Sequence, residues 1–357
     1  MGQIPYRDFT CITGPLFPYF GLLCIKCWDT AKSFVVATML SEILAYPVWM
    51  DVGRQLFSGK VTRTAAILYL TSPLPLFTAA FTGQNQIFIS LFLGLSLLLL
   101  LRGKNLLFGL MLGLSFVTVK WLGVIFAPIL LHRSRNPLLW IAGFLFVIAF
   151  VLLRFSNAGV NVWQPYGPGS ALYSPGNLFS FLSVLGIDWR LPLVGEAMNL
   201  VGFSLLGLIV IGFLLRSRKG DGRQAVYLIG GISFCLLFTA KMAYPPNLCA
   251  SLFAACLAIS SRPRFFRRDF LFFSLMGISA TMDEEMWAEW MGADNFSRLY
   301  TKITAIERLQ SWICLINEAI LLATCLYFIA RIWKLLSETH SISTRGDGAS
   351  ATASHAA

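Results

Sequence analysis

Apolar residues in this chain run in long blocks separated by short polar connections. The blocks fall at roughly 31–50, 64–80, 84–101, 105–119, 121–131, 137–153, 197–215, 224–240, 242–260, 269–281 and 313–333. Stretches such as Ile87 to Leu101 and Trp140 to Leu153 are close to continuously apolar. A membrane-spanning helix needs about 20 mostly apolar residues, and fewer when it is packed inside the protein. Such blocks must be helical, because hydrocarbon offers no partner to an open backbone N–H or C=O. The pattern predicts an all-α polytopic membrane protein with about eleven transmembrane helices, short helical hairpins and extracytoplasmic loops. No internal repeat is visible, which weighs against an inverted-repeat transporter.

Three segments break the blocks: residues 1–30; roughly 154–196, rich in Gly, Pro, Asn and aromatics; and roughly 282–312. In the last of these, Trp287, Trp290 and Met291 recur at helical spacing, as in an amphipathic helix on the surface. The expected organisation is an extracytoplasmic loop over 1–30, a membrane domain over 31–333 and a disordered cytoplasmic tail over 334–357, where Ser, Thr, Ala and Gly follow without periodicity.

The stretch from Asn105 to Leu131 reads either as one long span or as two short ones turning at Lys120. Charge decides between them. Basic residues cluster at Arg54, Lys60 and Arg63; Arg102 and Lys104; Arg133 and Arg135; Arg216 to Arg223; and Arg262 to Arg268. A hairpin at Lys120 puts all five clusters on one face, the positive-inside pattern, whereas a single span would divide them and leave a lysine in mid-bilayer. The hairpin is expected. It places residues 1–30, 154–196 and 282–312 outside a cell membrane and the tail in the cytoplasm.

Composition agrees with the pattern: 57% of residues are hydrophobic, 13% are charged, and mean hydropathy is +0.70. A net charge of +11 invites a nucleic-acid reading, but the basic residues sit in connections between spans, where they orient the protein. No nucleic-acid partner is expected. Of three histidines, two lie in the tail, so histidine-based zinc or triad chemistry is excluded. Cys24-Ile25-Lys26-Cys27 stands without a second pair; it reads as structural, or as a disulfide in an oxidising compartment.

What chemistry the sequence offers lies at the other face. Lys120 stands at the hairpin tip, Lys241 opens the run to Tyr244 and Asn247, Gln84-Asn85-Gln86 opens a span, and Arg7-Asp8 lies in the first loop. Two lysines and an arginine at one depth suit an anionic headgroup; the plain alternative is that each lysine snorkels to lipid phosphates. Glu42 and Glu318 lie inside spans, either as functional acids or facing a polar interior. The acidic run at 283–289 could take a divalent cation, and fits more readily as a helix start, where negative charge meets the helix dipole. No cofactor is indicated with certainty.

Several of these segments resemble a known family. Gly2-Gln3-Ile4-Pro5-Tyr6-Arg7-Asp8-Phe9 followed by Gly14-Pro15-Leu16-Phe17-Pro18-Tyr19 resembles the end of the first large loop of superfamily C glycosyltransferases, in the bacterial polyprenyl-phosphate-mannose-dependent branch. Thr82-Gly83-Gln84-Asn85-Gln86 is similar to that branch's Gly-Gln motif, and Leu110 to Lys120 to its hairpin. Ser174 to Asp188 resembles its substrate loop, with Phe179 where tryptophan is usual, and Lys241 to Asn247 resembles a later lysine-then-proline segment. The likeness covers roughly residues 1–260.

The resemblance implies transfer of a sugar, mannose or another hexose, from a polyprenyl-phosphate donor to a lipid or glycan acceptor outside the cytoplasm. It implies Lys120 and Lys241, with Arg7, at the leaving phosphate, and Gln84, Asn177 and Tyr244 at the substrate. The family's usual first helix and the loop acid after it precede the stretch with which this chain begins. Asp8 therefore stands second in line as general base. The natural protein is expected to start upstream, with an extension of about 40–80 residues carrying one span. Two other readings use the same residues: a lipid-phosphate transporter or flippase, and an inactive truncated remnant.

Overall fold

The computed structural model describes residues 14–30, 32–81, 84–119, 121–134, 136–160, 176–184, 192–216, 221–240, 243–262, 267–291 and 308–353. Among these residues there are helices and no strands, as a multi-pass membrane chain requires. In order they are α1 (Phe17–Cys27), α2 (Lys32–Leu56), α3 (Gly59–Thr71), α4 (Pro73–Leu76), a π-helical turn (Phe77–Phe81), α5 (Gln86–Leu101), α6 (Asn105–Val119), a 3-10 segment (Trp121–Phe126) and α7 (Ala127–Arg133). There follow α8 (Pro137–Ser156), α9 (Leu178–Val184), α10 (Pro192–Arg216), α11 (Gly222–Thr239), a 3-10 segment (Pro245–Ala250), α12 (Leu252–Ser260), α13 (Arg267–Met291) and α14 (Arg308–Ala353).

Among the described residues each apolar block is largely helical, but blocks and crossings are different things. Among the described residues four helices are long and apolar enough to cross a membrane, or five if α3 and the bent piece after it form one span. Several of the others, α1, α5, α6 and α12 among them, are shorter. Burial explains how α12 can be: every one of its residues is buried, and it packs on α11, itself buried along nearly its whole length. Gly230 lies against the backbone of Ala255, closer than any side chain would allow. Small residues provide such close approach where lipid gives no hydrophobic drive for helices to associate. By contrast α8 turns Phe146, Phe150 and Leu153 outward, at helical spacing, while Trp140, Gly143, Val147 and Val151 face inward. Gly109 and Gly113 of α6 meet the backbone of α8 at Trp140 and Phe144, in the small-xxx-small manner.

The chain folds back between α6 and α7, as the hairpin requires. Ser134, after α7, donates to Asn105 Oδ1 at the start of α6 (3.3 Å). One continuous helix would hold those positions about 40 Å apart. The basic clusters come together accordingly. Asp51 pairs with Arg102 at 2.6 Å, Arg223 Nε donates to the Leu56 carbonyl at 2.5 Å, and Asp269 pairs with Arg331 at 2.8 Å. Tyr227, one turn after Arg223, packs against Phe57, and Arg262 lies 3.8 Å from Glu338 of α14 at the same end of the bundle.

Several local expectations differ from what is found. The acidic run does not open a helix: α13 runs without interruption from Arg267 through Met291. Nothing between residues 281 and 291 is Gly or Pro, so a change from apolar to acidic residues leaves helix propensity intact. The Trp287–Met291 pattern continues that helix rather than forming a separate surface helix. Within the first segment, 17–27 is α1, with Pro18 in its first turn where the missing N–H costs nothing. Cys24 and Cys27 lie one turn apart on α1 as free thiols. At the other end, α14 carries on past residue 333 to Ala353, since extending a helix costs far less than starting one.

Candidate functional site

Two breaks in the helices create the site. Ser72-Pro73-Leu74-Pro75 ends α3, because neither proline has an N–H to continue the ladder; the chain bends by 57° there and continues through the π-helical turn to Gln84. Tyr244-Pro245-Pro246 does the same before α12, giving a buried 3-10 segment. Non-helical backbone inside a membrane bundle survives only where protein covers it or it lines a cavity. Here Thr38 Oγ1 donates to the Ala79 carbonyl (2.8 Å), and Ser251, at the second break, donates to the Ile229 carbonyl (3.1 Å).

The ends of these broken helices meet. Tyr244 Oη donates to Gln84 Oε1 at 2.9 Å and accepts from Gln86 Nε2, whose second hydrogen goes to Asn247 Oδ1 at 3.1 Å. Gln86 and Asn247 are buried, while Gln84 and Tyr244 are half-buried, so the chain of hydrogen bonds runs from the interior toward an accessible edge. The first segment arrives beside it. Leu16 N–H donates to the Val117 carbonyl near the end of α6 (3.0 Å), and Phe17 packs edge-on against Phe88, in the first turn of α5.

A second cluster adjoins the first through residue 243. Asn177 Oδ1 accepts from the Phe179 and Ser180 N–H groups at 2.8 and 3.0 Å, and so caps α9. Ser180 Oγ returns the favour by accepting from Asn177 N–H at 3.0 Å. Asn177 Nδ2 donates to the Ala243 carbonyl at 2.6 Å. Glu318 of α14, fully buried, accepts from Gly176 N–H at 3.1 Å and lies 2.8 Å from Ser180 Oγ. Asp283 of α13 is buried against Gly176.

Of the residues singled out in the sequence, Gln84, Asn177 and Tyr244 are thus brought to one end of the bundle, opposite the basic clusters. Arg7, Asp8, Lys120 and Lys241 lie outside the described residues. Asn177, expected to hydrogen-bond substrate, directs both side-chain atoms to protein groups. Gln86 and Asn247, which stood in the runs around Gln84 and Tyr244 without a role of their own, and Ser180 complete the network, and Asp283 lies against Gly176. Gln86 stood within the Gln84-Asn85-Gln86 run, and its place at the buried end of the helix was the missing signal. Of the two acids inside spans, Glu318 belongs to this end, whereas Glu42 accepts from Tyr69 and joins α2 to α3. Among the described residues, no group of three or more His, Cys, Asp or Glu side chains could hold a metal ion.

Chemically the end offers amide and phenol groups suited to hydroxyls, set in a low-dielectric bundle whose backbone is fixed by buried hydrogen bonds. Residues 13–240 match the sequence model of glycosyltransferase family 87. A crystal structure of ArnT from Cupriavidus metallidurans bound to undecaprenyl phosphate is similar over 95% of this chain and 69% of that one, at 15% identity and a TM-score of 0.49. No curated protein matches.

Proposed function

This chain belongs to glycosyltransferase family 87, a membrane glycosyltransferase by that membership, and we propose that its donor is a hexose, mannose first, carried on a polyprenyl phosphate. The acceptor is a lipid or glycan hydroxyl on the outer face of the cell membrane, with the basic end and the tail toward the cytoplasm. The observation that supports this most is the meeting of Gln84, Gln86, Tyr244 and Asn247 at the ends of two broken helices, at the end opposite the basic clusters.

In the proposed reaction the acceptor oxygen attacks the anomeric carbon while its proton passes to a carboxylate, for which Asp8 is the candidate in this chain. The bond from the anomeric carbon to the phosphate oxygen breaks, and its electron pair stays on the phosphate. Negative charge grows there in the transition state, so fixed cations are worth most at that atom. Lys120 and Lys241, with Arg7, take that role. Gln84 and Tyr244, at the accessible edge of the network, hold sugar or phosphate oxygens, and Asn177 fixes the backbone beside Lys241.

The test is release of free polyprenyl phosphate by the purified protein from a labelled polyprenyl-phosphate hexose, with membrane lipid as acceptor. Label in a new glycoside, with one polyprenyl phosphate freed per sugar moved, is the expected result. Movement of intact donor across a vesicle without cleavage would establish the flippase reading instead. Absence of both would favour an inactive remnant.

A further inference from the structure

Glu318 lies in α14, well beyond the residues 13–240 that match the family. We infer that it is a positioning residue: its carboxylate latches residues 176–180 to α14 and, through Asn177, fixes the segment 243–247 that follows Lys241. The inference rests on the reaction proposed above for its consequence in turnover, and on geometry alone for the latch.

The geometry is specific. A carboxylate buried to 0% exposure is costly unless hydrogen bonds replace its water. Glu318 Oε1 takes one from Gly176 N–H (3.1 Å). Ser180 Oγ lies 2.8 Å from both Glu318 Oε1 and the Asn177 carbonyl, and can donate to either. Gly176 has φ +73°, and a Cβ there would come within 2.4 Å of Asp283 Oδ2 and 2.5 Å of Pro245. Only glycine passes between Asp283 and Pro245 with its N–H aimed at Glu318.

The next residue carries the connection on. Asn177 is held by its own cap on α9, and its Nδ2 grips the Ala243 carbonyl, two residues from Lys241. Tyr244, beside Ala243, is in turn bound to Gln84 and Gln86. Asn317, the neighbour of Glu318, ties α14 to the Ser279 carbonyl of α13 (3.0 Å), so the latch stands on two helices packed side by side. A side chain on the last helix thereby sets the backbone beside the cation proposed for the phosphate.

Hydrogen exchange of the full-length protein in lipid nanodiscs tests the latch without any substrate. Glu318→Ala should speed exchange in residues 176–184 about tenfold or more, while α11 and α12 stay protected, and it should lower hexose transfer by a similar factor. Glu318→Gln should restore both, because a glutamine oxygen accepts from the same N–H. Ser180→Ala, which removes the Ser180 hydroxyl's contacts with Glu318 and Asn177 but keeps Gly176 N–H on Glu318, should move both in the same direction by less, and it serves if Glu318→Ala does not fold. Unchanged exchange at 176–184 in Glu318→Ala overturns the latch. So does faster exchange spread evenly over α11 to α14, which marks general loosening. Glu318→Gln as inactive as Glu318→Ala, with normal exchange, would show that the charge acts on the reaction itself and would replace positioning with catalysis. A wild-type protein that transfers no hexose, with local loosening in Glu318→Ala, sinks the proposed reaction and keeps the latch.

Discussion

Both ends of the helix bundle are polar, and they are held together largely in different ways. At the basic end most ion pairs among the described residues lie near the surface, such as Arg102 with Asp51, whose side chains are 51% and 37% exposed, and Lys334 with Glu338, 67% and 51% exposed; the exception is Asp269, buried and held through both oxygens by Arg331. At the other end the contacts are hydrogen bonds among buried neutral groups, with Glu318 as their anchor. Exposed pairs are worth about 0–1 kcal/mol each and tolerate change in geometry. Buried groups left unpaired cost about 1–3 kcal/mol each, so a network of them fixes positions. The exposed pairs of the basic end need only the right charges, because orientation depends on how many Lys and Arg lie near the spans. The opposite end needs fixed distances, which is what a transfer reaction demands.

The largest effect expected is a yes-or-no one. With natural loop cysteines removed, Ser170→Cys and Ser297→Cys should react with an impermeant thiol reagent from outside, and Ser217→Cys should not. The reverse pattern would exchange the two ends and remove the site with them. Next come the lysines. Lys120→Ala and Lys241→Ala should each lower turnover about tenfold to a hundredfold at unchanged protein level, the worth of one charge-assisted contact in a partly desolvated site. Normal turnover in both variants would leave snorkelling as their role.

How far the sequence could be read follows the same division. The basic end was legible: charge sorting alone placed the turn at residue 120, and the contact of Ser134 with Asn105 agrees. The helices were legible too, since apolar blocks are a local signal. The site end was legible only in part. Gln84 and Tyr244 were picked out by motif, yet their bond to each other joins residues 160 apart in sequence. Glu318 stood out as an acid inside a span, but nothing local in the chain points to Gly176, 142 residues away. The acidic run after residue 282 misled for a physical reason: acids favour a helix start, but they do not require one, and here they ride on the last turns of α13.

A medium effect is expected at Gln86. Gln86→Leu keeps much of the volume and leaves Asn247 Oδ1 without its partner, while Tyr244 loses a donor. Stability in detergent should fall by about 1–3 kcal/mol, and turnover should fall with it as Tyr244 loses its fixed position. A loss of stability below about 0.5 kcal/mol would mean that the buried network is no more demanding than the ion pairs at the other end.

The smallest effect is expected at Asp51 and Arg102, and it is the one that sharpens the comparison most. Their 2.6 Å contact is the shortest ion pair among the described residues, and on distance alone it would rank as the strongest. Exposure argues the reverse, since water and salt screen both groups. Asp51 also lies within reach of Gln55 Nε2 at 3.4 Å, so its carboxylate keeps a partner when Arg102 is removed. The helices themselves are joined by other means: Trp49 of α2 donates to Ser90 of α5, and Gly222 packs against Leu56 and Leu101. Arg102→Gln should therefore change stability by less than about 0.5 kcal/mol, and the difference should vanish at high salt. A loss above about 2 kcal/mol that persists in salt would place this pair in the class of buried, geometry-setting contacts, and the two ends of the molecule would then differ in charge without differing in how they are built.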